Sequence, residues 1–167
     1  MPRPIAALWS ARLSIALMRG WIAVETTMSG DKESVLHANE GFYRAFESLD
    51  AGLMEKVWAR DDAIQCGHPG WQILRGWKPV MESWRRIFEN TPEIRFMLTD
   101  VSVEVRGAIA WVTLYEDLIG SVEGEHVSAK ILTTNIFEKG PEGWRLILHH
   151  GSPVAQPVPA ADAGTVH

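Results

Sequence analysis

The sequence predicts an α+β fold, with helices on one side of a curved, mostly antiparallel sheet. Apolar residues recur at helical spacing before residue 90 and alternate with a period of two from residue 94 onward. Clusters of Gly, Pro and Asp separate these stretches and mark turns. The implied order of elements is ααββαββββ.

The three predicted helices each have an apolar face. The first follows Asp31 and places Val35, Phe42 and Phe46 on one face. The second is short, over residues 51–58. The third opens after Gly76, and its core-facing positions are Val80, Met81, Trp84, Ile87 and Phe88.

Six short apolar stretches predict the sheet. Two of them form a hairpin around residues 67–70, and the third changes the parity of its apolar residues near Thr99, which predicts a bulge. The fourth is apolar on both faces, so we expect both faces to be covered. The predicted strands are residues 63–66, 71–74, 94–106, 109–119, 127–138 and 144–150.

Composition limits the function classes. The chain has 167 residues and a net charge of −5, so one domain is expected and a basic nucleic-acid binder is not. A single cysteine, Cys66, excludes an internal disulfide. No apolar run has the length of a membrane span, and no signal peptide is evident, so the predicted location is the cytoplasm.

The ends differ from the middle of the chain. We expect residues 1–30 to be an N-terminal extension, either disordered or upstream of a true start at Met28; an organelle-targeting segment is the alternative. Residues 31–152 form the predicted domain. Residues 153–167, rich in Pro and Ala, are expected to be a disordered tail.

Three local patterns carry a resemblance. They are residues 42–46 followed by 58–63, then His68-Pro69-Gly70 before Gly76, and finally residues 133–137 followed by 143–146 and 149–150. In this order they resemble the SnoaL-like branch of the nuclear-transport-factor-two-like superfamily. The resemblance implies a cone-shaped barrel of three helices and a bent six-stranded sheet around a small-molecule pocket. It also implies a homodimer through the outer sheet face.

Tyr43 is the first candidate for catalysis. It lies 18 positions before Asp61. In the steroid isomerases, the tyrosine that helps to bind an oxyanion has the same spacing. A phenol in a dry pocket can donate a hydrogen bond to developing negative charge. The alternative is a core tyrosine whose hydroxyl lies at the rim.

His68 is the second candidate. The steroid isomerases have an aspartate base in the corresponding segment, which here reads Gly67-His68-Pro69 and contains no acid. Histidine can act as a base because its ordinary pKa of about 6.5 lies near the working pH. The register is one place off, and a turn histidine bonded to backbone is the alternative.

Asn135 and Thr133 share a face of the fifth strand. The resemblance implies a second acid near Thr133, and its absence argues against steroid isomerisation of that type. Asn135 is expected to orient a carbonyl or hydroxyl of the substrate, or else to form a cross-strand hydrogen bond.

His149 and His150 are adjacent on a strand and therefore point to opposite faces. His150 has the parity of Trp144 and Leu146. We therefore predict that His150 enters the pocket and that His149 faces outward, with simple packing as the alternative.

Other residues are expected to contact the substrate or, alternatively, only to fill the core. They are Trp71, Trp84, Trp111, Thr133 and Phe46.

No metal or cofactor is expected. Two adjacent strand histidines cannot both converge on one zinc ion, and no Gly-rich phosphate loop is present. Cys66 is expected to be a small buried hydrophobe. Two functions stay open: a cofactor-independent isomerase, cyclase or dehydratase acting on an apolar metabolite, and a non-catalytic dimeric module that binds a ligand or a protein.

Overall fold

The computed structural model describes residues 30–122 and 125–155 of the chain. The predicted extension, apart from residue 30, and the predicted tail from residue 156 lie outside the described residues. The elements follow the predicted order ααββαββββ. They are α1 (30–47), α2 (Ala51–Val57), β1 (Gln65–Gly67), β2 (Leu74–Arg75), α3 (Trp77–Glu89), β3 (Glu93–Arg106), β4 (Ile109–Val122), β5 (Glu125–Gly140) and β6 (Gly143–Pro153).

The helices begin where local chemistry favours it. Asp50 caps α2 by accepting a hydrogen bond from the backbone N–H of Leu53. Gly76 precedes α3 with φ of 87°, a left-handed conformation that suits glycine. The buried face of α3 is the predicted one and includes Val80, Trp84 and Phe88.

The six strands form one sheet in the order β2-β1-β6-β5-β4-β3. All neighbouring strands pair antiparallel except β1 and β6, which are parallel. The fold class is therefore α+β, as predicted. The sheet does not close: β2 and β3 are its free edges, so the cone-shaped barrel is an open, bent sheet covered by helices.

Two register shifts bend the sheet. The first lies between Thr99 and Ser102 of β3, where Asp100 has φ of 52°, and it confirms the predicted bulge. The second was not predicted. Ile136 of β5 pairs with Leu148, whereas the next residue pairs with Leu146, so β6 contains one extra residue.

This second bulge inverts the parity of the end of β6. His149 is buried at 3% exposure, and His150 is exposed on the opposite face. The prediction that His150 enters the pocket is therefore wrong, because the alternation that it shares with Trp144 and Leu146 is interrupted before residue 149.

The core lies between the helices and the inner face of the sheet. Ala110, Val112 and Leu114 of β4 point into it, and Phe137 and Leu146 do so from the neighbouring strands. The other face of the sheet is not covered by the described residues. None of the described helices combines the length and apolarity needed to cross a bilayer.

Candidate functional site

The inner face of the fold buries a group of polar side chains among apolar ones. We call this group the buried polar cluster. Each member is at most 6% exposed. The members come from α1, α3, the end of β1 and three further strands of the sheet. The members are Asn39, Tyr43, His68, Ser83, Glu116, Thr133, Asn135 and His149.

Strand register brings the two histidines together. β1 and β6 are parallel neighbours that align Cys66 with His149, and His68 follows β1 directly. The centroids of the two imidazole rings are 6.3 Å apart. The Trp84 ring packs against both, with centroid distances of 4.6 Å to His68 and 5.9 Å to His149.

His149 is held from the opposite strand. Asn135 lies directly across from it, and the His149 Nδ1 to Asn135 Oδ1 distance is 2.7 Å. The Asn135 Nδ2 in turn donates to Asn39 Oδ1 on α1 at 2.8 Å. Burial, and secondarily the charges that His68 and His150 could carry, lower the pKa of His149 to about 3, so its ring is neutral near pH 7.

His68 is held by α3. Its Nε2 lies 2.9 Å from Ser83 Oγ, and the Ser83 hydroxyl donates to the carbonyl of Val80 at 2.7 Å. Burial lowers the pKa of His68 to about 4, so this ring is also neutral. Cys66 Sγ lies 3.6 Å from His68 Nε2, but burial raises the pKa of the thiol, which argues against a thiolate nucleophile.

Tyr43 and Glu116 form the acidic end of the cluster. The Tyr43 hydroxyl donates to Glu116 Oε1 at 2.6 Å. Burial raises the pKa of Glu116, while the hydrogen bond from Tyr43 opposes that rise. Burial, with the neighbouring Glu116, also raises the pKa of Tyr43. The phenol is therefore uncharged at neutral pH, and the carboxyl holds its proton more tightly than an exposed one does.

Two buried polar atoms beside these groups have no hydrogen-bond partner. They are the Trp84 indole N–H and the Thr133 hydroxyl. An unpaired buried donor costs about 1–3 kcal/mol, so such atoms in a native interior call for an explanation. Polar atoms of a bound small molecule would supply partners for both.

Aromatic rings surround the buried polar cluster. Phe46 packs against Trp84 with a centroid distance of 4.9 Å, and Phe42 lies 5.0 Å from His149. Trp71, 40% exposed, covers His68 from the solvent side at 5.0 Å. Trp111 does not join them: it alternates with buried Ala110 and Val112 and lies on the outer face of the sheet.

Most of the predicted site residues thus come together. Tyr43, His68, Asn135, Thr133, Phe46 and Trp84 lie in or against the cluster, Trp71 lies at its edge, and His150 and Trp111 lie outside it. Asn135 makes the cross-strand bond given as its alternative, and Tyr43 is buried rather than at a rim.

Sequence reasoning missed Asn39, Ser83 and Glu116. Each could have been found from the sequence, because each is a polar residue on an otherwise apolar face of a helix or strand. On β4, Glu116 alternates with the same period as Val112 and Leu114, and all three point inward.

The cluster does not have the donor set of a metal site. Within residues 30–122 and 125–155, no three His, Cys, Asp or Glu side chains converge as metal ligands. Two surface grooves, of about 960 and 600 Å³, flank the β5–β6 turn and contain none of the predicted site residues. What the cluster offers is two neutral imidazoles and a carboxyl group of raised pKa in an aromatic interior.

Solved structures share this fold. A proposed dehydratase of the NTF2-like family from Streptomyces avermitilis is 37% identical, with a TM-score of 0.72 over 77% of this chain and 99% of that one. A proposed calcium/calmodulin-dependent protein kinase type II association domain from Thiobacillus denitrificans is 32% identical, with a TM-score of 0.63 over 71% of this chain and 93% of that one.

The F-box protein SKIP8 of Arabidopsis thaliana is 26% identical over 133 residues, which cover 76% of this chain. The match spans 55% of that longer protein. A family model described as the SnoaL-like domain matches residues 35–156. This range contains every member of the buried polar cluster. The chain therefore belongs to the SnoaL-like domain family and has the nuclear-transport-factor-two-like fold.

Proposed function

We propose that the protein is a cofactor-independent enzyme that moves protons on an uncharged, largely apolar small molecule, as an isomerase, cyclase or dehydratase. The observation that carries this proposal is the burial of two imidazoles, 6.3 Å apart at their centroids, in one cluster with a carboxyl group. Perturbed titratable groups gathered in one place are typical of active sites.

The protonation states suit this chemistry. His68 and His149 have pKa values lowered to about 4 and about 3, so both are unprotonated and able to accept a proton at pH 7. Glu116 has a raised pKa and can supply a proton or a hydrogen bond. A base and an acid in one apolar site are what abstraction and return of a proton require.

The same states disfavour an anionic substrate. Neither imidazole of the cluster carries a positive charge at pH 7, so an anionic group would find no counter-ion there. The unpartnered Trp84 N–H and Thr133 hydroxyl suit the oxygen of a carbonyl or alcohol. The 37% identity with a proposed dehydratase supports the same reaction class.

Hydrogen–deuterium exchange tests this proposal without a known substrate. A panel of uncharged cyclic ketones would be incubated with the protein in D₂O, and deuterium uptake at the carbon next to the carbonyl measured by mass spectrometry. We expect catalysed uptake into at least one ketone, with a loss of 100-fold or more in His149→Gln. His150→Gln is the matched control, since His150 is adjacent but exposed on the other face.

Exchange that His149→Gln and His68→Gln leave unchanged would show that these imidazoles are not the bases. Ketone binding, detected as a change in tryptophan fluorescence, without any exchange would instead support a binding module.

The second candidate is that non-catalytic dimeric module, and the outer sheet face favours it. Trp111, Ile136 and Leu148 form one row across three strands, and Tyr115 and Leu132 extend it. On β3 the first row continues into Glu104 beside Trp111, so the apolar part of this face spans β4 to β6. The 32% identity with a proposed kinase association domain supports assembly through this fold.

Sedimentation tests this surface. We expect the wild type to sediment as a dimer and Trp111→Glu as a monomer with an unchanged circular dichroism spectrum. Lys56→Glu, an exposed change on α2, is the control. A dimer that persists in Trp111→Glu would place the interface elsewhere.

A further inference from the structure

Asn39 is a polar residue in an apolar setting. It lies on the buried face of α1 between Val35 and Phe42 and is 2% exposed. Burying an amide without hydrogen bonds is costly, so its position calls for a partner. The partner is Asn135, whose Nδ2 donates to Asn39 Oδ1 at 2.8 Å.

This bond sets the orientation of the Asn135 amide. With Nδ2 turned toward α1, Oδ1 faces β6 and lies 2.7 Å from His149 Nδ1. An amide oxygen has no hydrogen to give, so Nδ1 of His149 must be the donor. A neutral imidazole carries only one ring hydrogen, which leaves His149 Nε2 bare as an acceptor.

Tyr43 favours the same orientation. It lies four residues after Asn39 on α1, so both side chains meet Asn135 from one side. The Tyr43 hydroxyl gives its hydrogen to Glu116, so toward Asn135 its oxygen is an acceptor only. A flipped amide would turn its oxygen toward two oxygens and leave no donor there.

We propose that Asn39 is a positioning residue: through Asn135 it keeps the hydrogen of His149 on Nδ1 and presents Nε2 as the proton acceptor of the site. The catalytic meaning of this arrangement rests on the proposed function. The tautomer itself does not, because it can be observed in the free protein.

His68 supplies an internal comparison. Ser83 gives its hydroxyl hydrogen to the carbonyl of Val80, so it accepts from His68 Nε2 at 2.9 Å. His68 should therefore have its hydrogen on Nε2 and a bare Nδ1, the opposite tautomer from His149.

Nitrogen-15 NMR of the histidine rings tests the proposal directly, because protonated and bare ring nitrogens have well-separated chemical shifts. In uniformly labelled protein at pH 7, with His149→Gln used for assignment, we expect His149 with a protonated Nδ1 and bare Nε2. We expect the reverse for His68. A spectrum that shows His149 protonated on Nε2, or on both nitrogens, would overturn the proposal.

Two variants test the part played by Asn39. Asn39→Leu removes the acceptor at similar size, frees the Asn135 amide to turn and should shift His149 to a majority of the Nε2–H form. Asn39→Asp keeps an acceptor oxygen and should preserve the Nδ1–H form. If Asn39→Leu does not fold, Asn39→Ala replaces it.

If the Nδ1–H form of His149 persists in the folded Asn39→Leu or Asn39→Ala variant, Asn39 is not the residue that holds this tautomer. Each of these results is independent of turnover. A failure of the tautomer assignment is therefore distinguishable from a failure of the ketone-exchange test.

Discussion

Individual residues of the buried polar cluster owe their chemistry to burial more than to charge pairing. Desolvation is the largest cause of the shift for His68, His149, Glu116 and Tyr43. It lowers the pKa of an imidazole and raises that of a carboxyl or phenol, because each charged form is disfavoured in the apolar interior. One physical effect thus yields both a base and an acid.

The first prediction concerns stability against pH. Both histidines bind protons more weakly in the folded than in the unfolded state, since the pKa values fall from 6.5 to about 4 and about 3. The stability that the two neutral rings contribute to the folded state is present above pH 6.5 and is lost as the pH falls. Between pH 6.5 and 5 the free energy of unfolding should drop by about 1.5 kcal/mol for each histidine.

Urea unfolding at several pH values measures this slope. His149→Gln should flatten the pH dependence in that window, while His150→Gln should retain the wild-type slope. Equal slopes in the wild type and His149→Gln would contradict the assignment of a buried, neutral ring.

The second prediction concerns the Tyr43–Glu116 pair. Tyr43→Phe leaves a buried carboxyl oxygen without its donor and should lower the free energy of unfolding by about 1–3 kcal/mol. Glu116→Gln keeps an acceptor for the phenol and, because burial disfavours a charged carboxyl there, should cost less. Urea unfolding at pH 7 compares the two, and a larger loss in Glu116→Gln would indicate a buried carboxylate instead.

Sequence patterns placed several of these residues correctly. Tyr43 and Asn135 follow the helical and strand periods that put them inside, and His68 follows a strand end. Glu116 was missed although its inward parity on β4 marks it, because that parity alone does not identify its partner. Its partner Tyr43 lies 73 positions away in sequence.

Strand elements show what periodicity predicts and where it fails. The bulge in β3 was predicted because apolar parity changes across it. The bulge in β6 was not predicted. The residues on either side of it are all apolar, so the change of parity cannot be seen in the sequence. That one extra residue moved His149 inward and His150 outward.

The third prediction concerns the pairing of β3 with β4. A Cβ at Gly120 would lie 2.8 Å from the backbone oxygen of Glu93, so the strands must move apart to accept it. Gly120→Ala should lower the free energy of unfolding by about 1–3 kcal/mol. Gly140→Ala is the control, because its nearest contact would be an ordinary 3.8 Å. Thermal unfolding compares them, and equal losses would contradict the close approach.

The whole molecule follows from the order of its elements. The switch from helical to strand period predicted the α+β class, and short connections then leave the helices on one face. The open edges at β2 and β3 could not be read from sequence, because closure depends on strand tilt and bending. The orientation of Trp111 was missed because β4 is apolar on both faces.

The fourth prediction concerns the outer face. If two copies associate through the row of Trp111, Ile136 and Leu148, the thermal midpoint should rise with protein concentration, since mass action favours the dimer. The midpoint of Trp111→Glu should not depend on concentration. Differential scanning calorimetry over a hundredfold range of concentration checks this, and parallel behaviour of both proteins would contradict it.

A pH titration of the histidine rings by NMR in the intact protein tests most directly whether the two imidazoles are buried and neutral. We predict that His68 is half protonated only near pH 4 and His149 only near pH 3, so both remain neutral through pH 6. Rings that titrate near the ordinary pKa of about 6.5 would show that solvent reaches them. That result would contradict a buried pair of proton acceptors.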